Sequence, residues 1–230
     1  MAKLIWVMCL FMFFVSCNQN PDCQNQDSSI QKAESTPPTT AACPVPDPEP
    51  EIPEPDPDLG ELPHEALIFE TRADLTNFTV EDEEKVQKAF EIIKKVVGSE
   101  EFRSRVIHFT YQGKKQFVDN KGMTNAEIYQ AVLDGREDLK PEVDHEMDLE
   151  LELYYSWRNT VGYTTPNALR IYMNTKFFNP YTPAQVAGNV FHEWTHKLGF
   201  DHDTNYSVSR DSSVPYALGY LMEELGKQYE

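Results

Sequence analysis

After about residue 63, apolar residues recur along this chain with a period of either 3.6 or 2, while residues 18–42 show neither. Val86, Ala89, Phe90, Ile93 and Val97 are spaced by three and four, which predicts a helix with one face on a core. Thr79 stands before that helix as a cap, acidic residues fill its first turn, and Gly98 ends it. Thr124-Asn125-Ala126-Glu127 has the form of a capping box and opens a second helix that ends near Gly135. Met147, Leu149, Leu151, Leu153 and Tyr155 alternate with mostly polar residues, as in a strand buried on one face. After a turn around Gly162 and Pro166, residues 169–178 read as another strand. Residues 105–111 and 116–118 flank Gln112-Gly113-Lys114-Lys115 and predict a hairpin. Helices and strands together indicate an α+β domain beginning near residue 63, and about 165 residues suffice for an independent core.

Thr182-Pro183 begins a third helix, with Thr as cap and Pro at the first helical position, where its missing N–H costs nothing. On it His192 and His196 are four residues apart and share one face, so two imidazoles can grip one ion. Glu193 is turned about 100° around the axis, which lets it reach a bound water without becoming a ligand. Catalytic zinc takes three protein ligands and keeps one position open. Gly199 can turn left-handed, end the helix and reverse the chain, so that His202 returns towards the ion. Asp201, Asp203, Glu223 and Glu224 are rival donors for the third position; spacing and softness favour His202.

The run from His192 through Glu193, His196 and Gly199 to His202 resembles the zinc-binding consensus of the metzincin metallopeptidases at every fixed position. The resemblance implies a zincin-like α+β fold, with a mixed or antiparallel sheet packed on an active-site helix. It also implies one catalytic Zn²⁺ on His192, His196 and His202, with Glu193 as general base in peptide hydrolysis. In that family the strand before the active-site helix lies along bound substrate; here this is Arg170, Ile171, Tyr172, Met173 and Asn174, which read equally as an ordinary core or edge strand. The family's methionine turn has no counterpart in Ser212-Ser213-Val214-Pro215-Tyr216-Ala217-Leu218, and Met222 falls inside the last helix. Tyr216 is either a hydrogen-bond donor to a developing oxyanion or an aromatic packed beside Pro215.

The amino terminus adds a location. Residues 1–3 carry a positive charge, and the apolar run 4–15 is shorter than the about 20 residues that span a bilayer, so residues 1–16 read as an export signal. Phe14-Val15-Ser16-Cys17 resembles a bacterial lipoprotein signal, which implies a lipid anchor on Cys17 in the cell envelope; the alternative is plain secretion. Residues 17–62 form a polar, Pro- and acid-rich tether, whose Pro-rich part reaches about 45 Å as polyproline II. Cys23 and Cys43 either pair within it or stay free. The net charge of −18 argues against nucleic acid as a partner. His64, His108 and His145 read as incidental. The expected activity is therefore an exported zinc peptidase acting on peptides or proteins. A zinc amidase on cell-wall or small-molecule substrates and a non-catalytic metal-binding surface lipoprotein are the alternatives.

Overall fold

The computed structural model describes residues 69–165 and 167–230; the expected signal, tether, Cys17 anchor and Cys23–Cys43 pair lie outside them. Strand β1 (Glu70–Thr76) leads into helix α1 (Val80–Val97), whose cap, Thr79, exchanges hydrogen bonds with Asp82 in a full capping box. Val86, Ala89, Phe90, Ile93 and Val97 are all buried along its inner face, together with Ile92 and Val96. Helix α2 (Glu100–Ile107) and helix α3 (Asn125–Asp134) follow. Helix α3 starts at the Thr124/Glu127 capping box and ends on Gly135 in the left-handed conformation.

The hairpin expected over residues 105–118 is not formed. Residues 105–107 belong to α2, whose cap Ser99 accepts from the Phe102 N–H. Phe102 and Val106, four apart, are both fully buried, and Phe102 packs edge-on to Phe191 at 5.9 Å. A short apolar run is compatible with either period, and burial against Phe191 selects the helical one. Pairing in the rest of the segment is confined, among the described residues, to the bridges Tyr111↔Lys114 and Val118↔Ser213.

Strand β2 (Glu146–Tyr154) buries Met147, Leu149, Leu151 and Leu153 and ends before Tyr155, which is exposed. Strand β3 (Gly162–Thr164) and strand β4 (Arg170–Asn174) complete a four-stranded mixed sheet in the order β1-β2-β4-β3. Strands β1, β2 and β4 run parallel, and only β3 is antiparallel to its neighbour. One sheet face shares a continuous apolar core with the helices, while the other is polar, with Arg170 bonded to Glu150 and Glu152. The second strand expected to reach residue 178 stops at Asn174, whose side chain accepts from the Lys176 N–H and caps helix α4 (Thr175–Phe178).

Helix α5 (Pro183–Thr195) opens at a capping box between Thr182 and Gln185 with Pro183 in the first turn. Helix α6 (Val208–Asp211) and helix α7 (Val214–Gly226) finish the domain, followed by a 3₁₀ turn over Lys227–Tyr229.

Candidate metal centre

Helix α5 has two working faces. Val186, Val190, Phe191 and Trp194 are fully buried in the core, which leaves Gln185, Asn189, His192 and His196 along a cleft. Beyond His196 the chain turns at Gly199, with φ +85°, and a Cβ there would meet the Asp138 carboxylate at 2.9 Å. It is the left-handed dihedral that favours glycine here, since the Lys121 and Asp138 side-chain ends near it can move aside. Phe200 is buried 1 % exposed and acts as a pivot from which His202 doubles back.

The three rings converge, with centroids 5.3 Å apart for His192 and His196, 5.2 Å for His192 and His202, and 4.9 Å for His196 and His202. One ligand atom from each lies within 4.8 Å of the others. Each ring is also tied to a main-chain carbonyl. His196 Nδ1 is 2.7 Å from the Phe200 oxygen, His202 Nδ1 is 2.9 Å from the Asp203 oxygen, and His192 bonds the backbone of Pro215. Such bonds set the tautomer and leave Nε2 of His196 and His202 as the donor atom. Burial lowers the His192 pKa to about 3, helped by the neighbouring imidazoles, and burial likewise lowers that of His196. Both rings are thus held neutral, as a metal ligand must be. This set could hold one divalent ion.

Among the described residues, none of the rival donors joins the three histidines in that group. Asp201 accepts from the His202 N–H, Asp203 from the Asn205 N–H, Glu223 pairs with Lys227, and Glu224 pairs with Arg105. In a second acidic group, Asp144, Glu146 and Asp148, Glu146 pairs with Arg72, Asp148 pairs with Lys140, and Asp144 accepts from the Glu146 N–H.

Glu193 is 5 % exposed, lines the cleft, and has no hydrogen-bond partner among the described residues. Burial pushes its carboxyl up to about 8, against a smaller downward pull from Lys197. Its Oε1 would lie 3.2 Å from a Cβ at Gly162, so the absence of a side chain there keeps β3 close to the carboxylate. Lys197, also buried, donates to the Thr165 and Ala168 carbonyls and so ties the end of α5 to the β3–β4 connection.

Tyr216 lies in the first turn of α7, its ring 4.5 Å from that of His192 and 4.6 Å from that of His202. The Arg210 guanidinium stacks over it at 4.3 Å, and burial raises its pKa, so it stays a phenol with a proton to donate. Met222 is buried in α7.

Of the two readings of residues 170–174, the structure forms the ordinary core strand. Strand β4 has both edges occupied, by β2 and β3, and cannot receive an added strand. Ile171 and Met173 are core residues, Arg170 is held by two glutamates, and Tyr172 stacks on Tyr163 at 4.7 Å. Asn174 is fully buried and straps the 156–160 loop through the Ser156 and Thr160 carbonyls. Among the described residues, the unpaired edge beside the histidines belongs to β3, and residues 159–164 form one wall of a cavity of about 920 Å³ whose other walls include α5 and α7. A short antiparallel addition is weakly marked in sequence, because three residues carry no readable period.

Glu137 was not singled out by any spacing. It is 1 % exposed, and its Oε1 accepts the Trp194 indole N–H at 2.6 Å and the Asp148 N–H at 3.0 Å.

No protein-family model matches this chain, and no curated protein matches it in sequence.

Proposed function

We propose that this chain is a zinc-dependent peptidase of zincin type, exported and anchored to an envelope membrane through Cys17. The observation that carries the reading is the meeting of three imidazoles, one ligand atom of each within 4.8 Å of the others, with a buried Glu193 that has no partner among the described residues beside them in one cleft. Three imidazole nitrogen donors suit Zn²⁺ and leave a coordination position for reactants. A zinc ion on His192, His196 and His202 would supply Lewis acidity, polarising the scissile carbonyl and making water a better nucleophile near pH 7.

The chain's own groups do the rest. The free edge of β3 offers backbone N–H and C=O groups to an extended peptide, which fixes the scissile bond in the cleft. Glu193 accepts the proton of the attacking water on its carboxylate. Beside the positive charge of a zinc ion that carboxyl would ionise, and it passes the proton on to the departing amine. The Tyr216 hydroxyl makes no hydrogen bond to a described residue and donates to the carbonyl oxygen as negative charge develops there.

The test is incubation of the full chain with a diverse peptide library, with and without chelator, read by mass spectrometry. Cleavage should stop with chelator and return with Zn²⁺. Glu193→Gln should lose at least about 100-fold in turnover while still binding one zinc per chain. Undiminished turnover in that variant removes Glu193 from the mechanism. A zinc-loaded protein that leaves every peptide intact points instead to an amidase, and a chain that binds no zinc overturns the enzymatic reading.

A further inference from the structure

The cavity extends well beyond the histidines. On α5, Asn189 and Gln185 continue the face that carries His192, and on α7, Tyr220 and Glu223 continue the face that carries Tyr216. Seven residues separate His192 from Gln185 and Tyr216 from Glu223, so this arm runs about 10 Å from the imidazoles. Tyr181 closes it from the loop before α5 and lies near enough to Glu223 for that carboxylate to raise its pKa, after burial.

The chemistry of the arm is one-sided. Glu223 is its carboxylate, Tyr181 and Tyr220 its phenols, and Asn189 and Gln185 its amides; among the described residues, no Lys or Arg lines the cavity. The hydroxyls of Tyr181 and Tyr220 and the Asn189 amide make no hydrogen bond to a described residue, so they are available to a ligand. The existing partner of Glu223 is Lys227, one turn further on at 3.1 Å with a side chain 59 % exposed. Such an exposed pair is weak and can be displaced.

We infer that this arm is a specificity pocket for a basic side chain, Lys or Arg, of the peptide held at the histidines. This rests on the peptidase reading and names its substrate class. A long stem carries the cation past the phenol rings, where cation–π attraction adds to the charge-assisted bond with Glu223. An acidic side chain would meet Glu223 with like charge, and a short one would not reach it.

The experiment uses the full-length Glu193→Gln chain loaded with Zn²⁺ and fluorescent peptides that differ in one position only, carrying Arg, Gln or Glu. The position is scanned along the peptide, and affinity is read by anisotropy. In one register Arg should bind about tenfold tighter than Gln, with Glu weakest. Adding Glu223→Gln should shrink that preference to about twofold, and Glu223→Lys should turn it towards Glu. Equal affinities in every register, an Arg preference that survives Glu223→Gln, or no binding at all overturns the pocket. Cleavage by the unmutated chain, followed in parallel, separates the two readings. Selective binding without cleavage sinks the peptidase and leaves the pocket, whereas cleavage indifferent to basic residues does the reverse.

Discussion

Trp194 stands between His192 and His196 in sequence but points the other way, and its indole N–H ends on Glu137. Burial is the larger influence on that carboxyl and lifts it from the usual 4.5 to about 7, opposed by the Trp194 and Asp148 hydrogen bonds. An acid whose pKa is higher folded than unfolded contributes stability in full below pH 4.5, and the contribution is lost as pH rises through about 7. The loss amounts to about 3 kcal/mol at most. Glu137→Gln keeps an acceptor for both N–H groups and has no charge to bury. The natural chain should therefore lose more stability between pH 5 and pH 8 than the variant does, as read from urea midpoints. Equal losses would show that Glu137 does not titrate in this range. Nothing in the local sequence around Glu137 announces this role, since its partners are 11 and 57 residues away.

Helices α5 and α7 approach closely because of glycines. A Cβ at Gly219 would meet the Cβ of His192 at 2.9 Å, and one at Gly188 would meet the Gly219 carbonyl at 2.8 Å. This approach brings Tyr216 against the histidines and closes the arm that holds Glu223. Gly219→Val should push the helices apart at a cost of about 1–3 kcal/mol. The same wedge displaces His192, so zinc affinity should fall at least about tenfold while helical circular dichroism is retained. Gly122→Ala is the control. That residue has φ +79° with nothing near its missing Cβ, so it should cost about 1 kcal/mol of strain and leave zinc affinity unchanged. A wedge at Gly219 that spares zinc affinity would show that the helix spacing does not position the ligand. At this scale the capped helices α1, α3 and α5 were legible because a cap and a periodic face are local features. The helical state of 105–107 and the position of β4 were not, because they depend on Phe191 and on a three-residue strand that covers an edge.

Across the whole molecule, the three converging histidines come from α5 and from the segment beyond it, while α7 supplies the backbone support of His192. An ion bound only by the folded arrangement stabilises it by mass action. Free Zn²⁺ at a hundred times its dissociation constant should add about 2.7 kcal/mol. For a domain of this size that corresponds to a rise in melting temperature of about 5–10 °C, reversed by chelator. A melting temperature indifferent to zinc would mean that the three histidines do not share an ion in solution.

The order His192, Glu193, His196, Gly199, His202 is a property of the sequence alone, because helical geometry and one left-handed glycine bring those side chains to one side within eleven residues. Composition likewise separated a periodic domain from an aperiodic, Pro-rich start. What only the tertiary structure decided were the contacts between segments distant along the chain: Tyr216 over the rings, Glu137 under Trp194, β3 rather than β4 at the free edge, and Glu223 at the end of the arm. Period and spacing report one element at a time, whereas these placements follow from how closely helices and strands can approach, which glycines and buried side chains on both partners determine together.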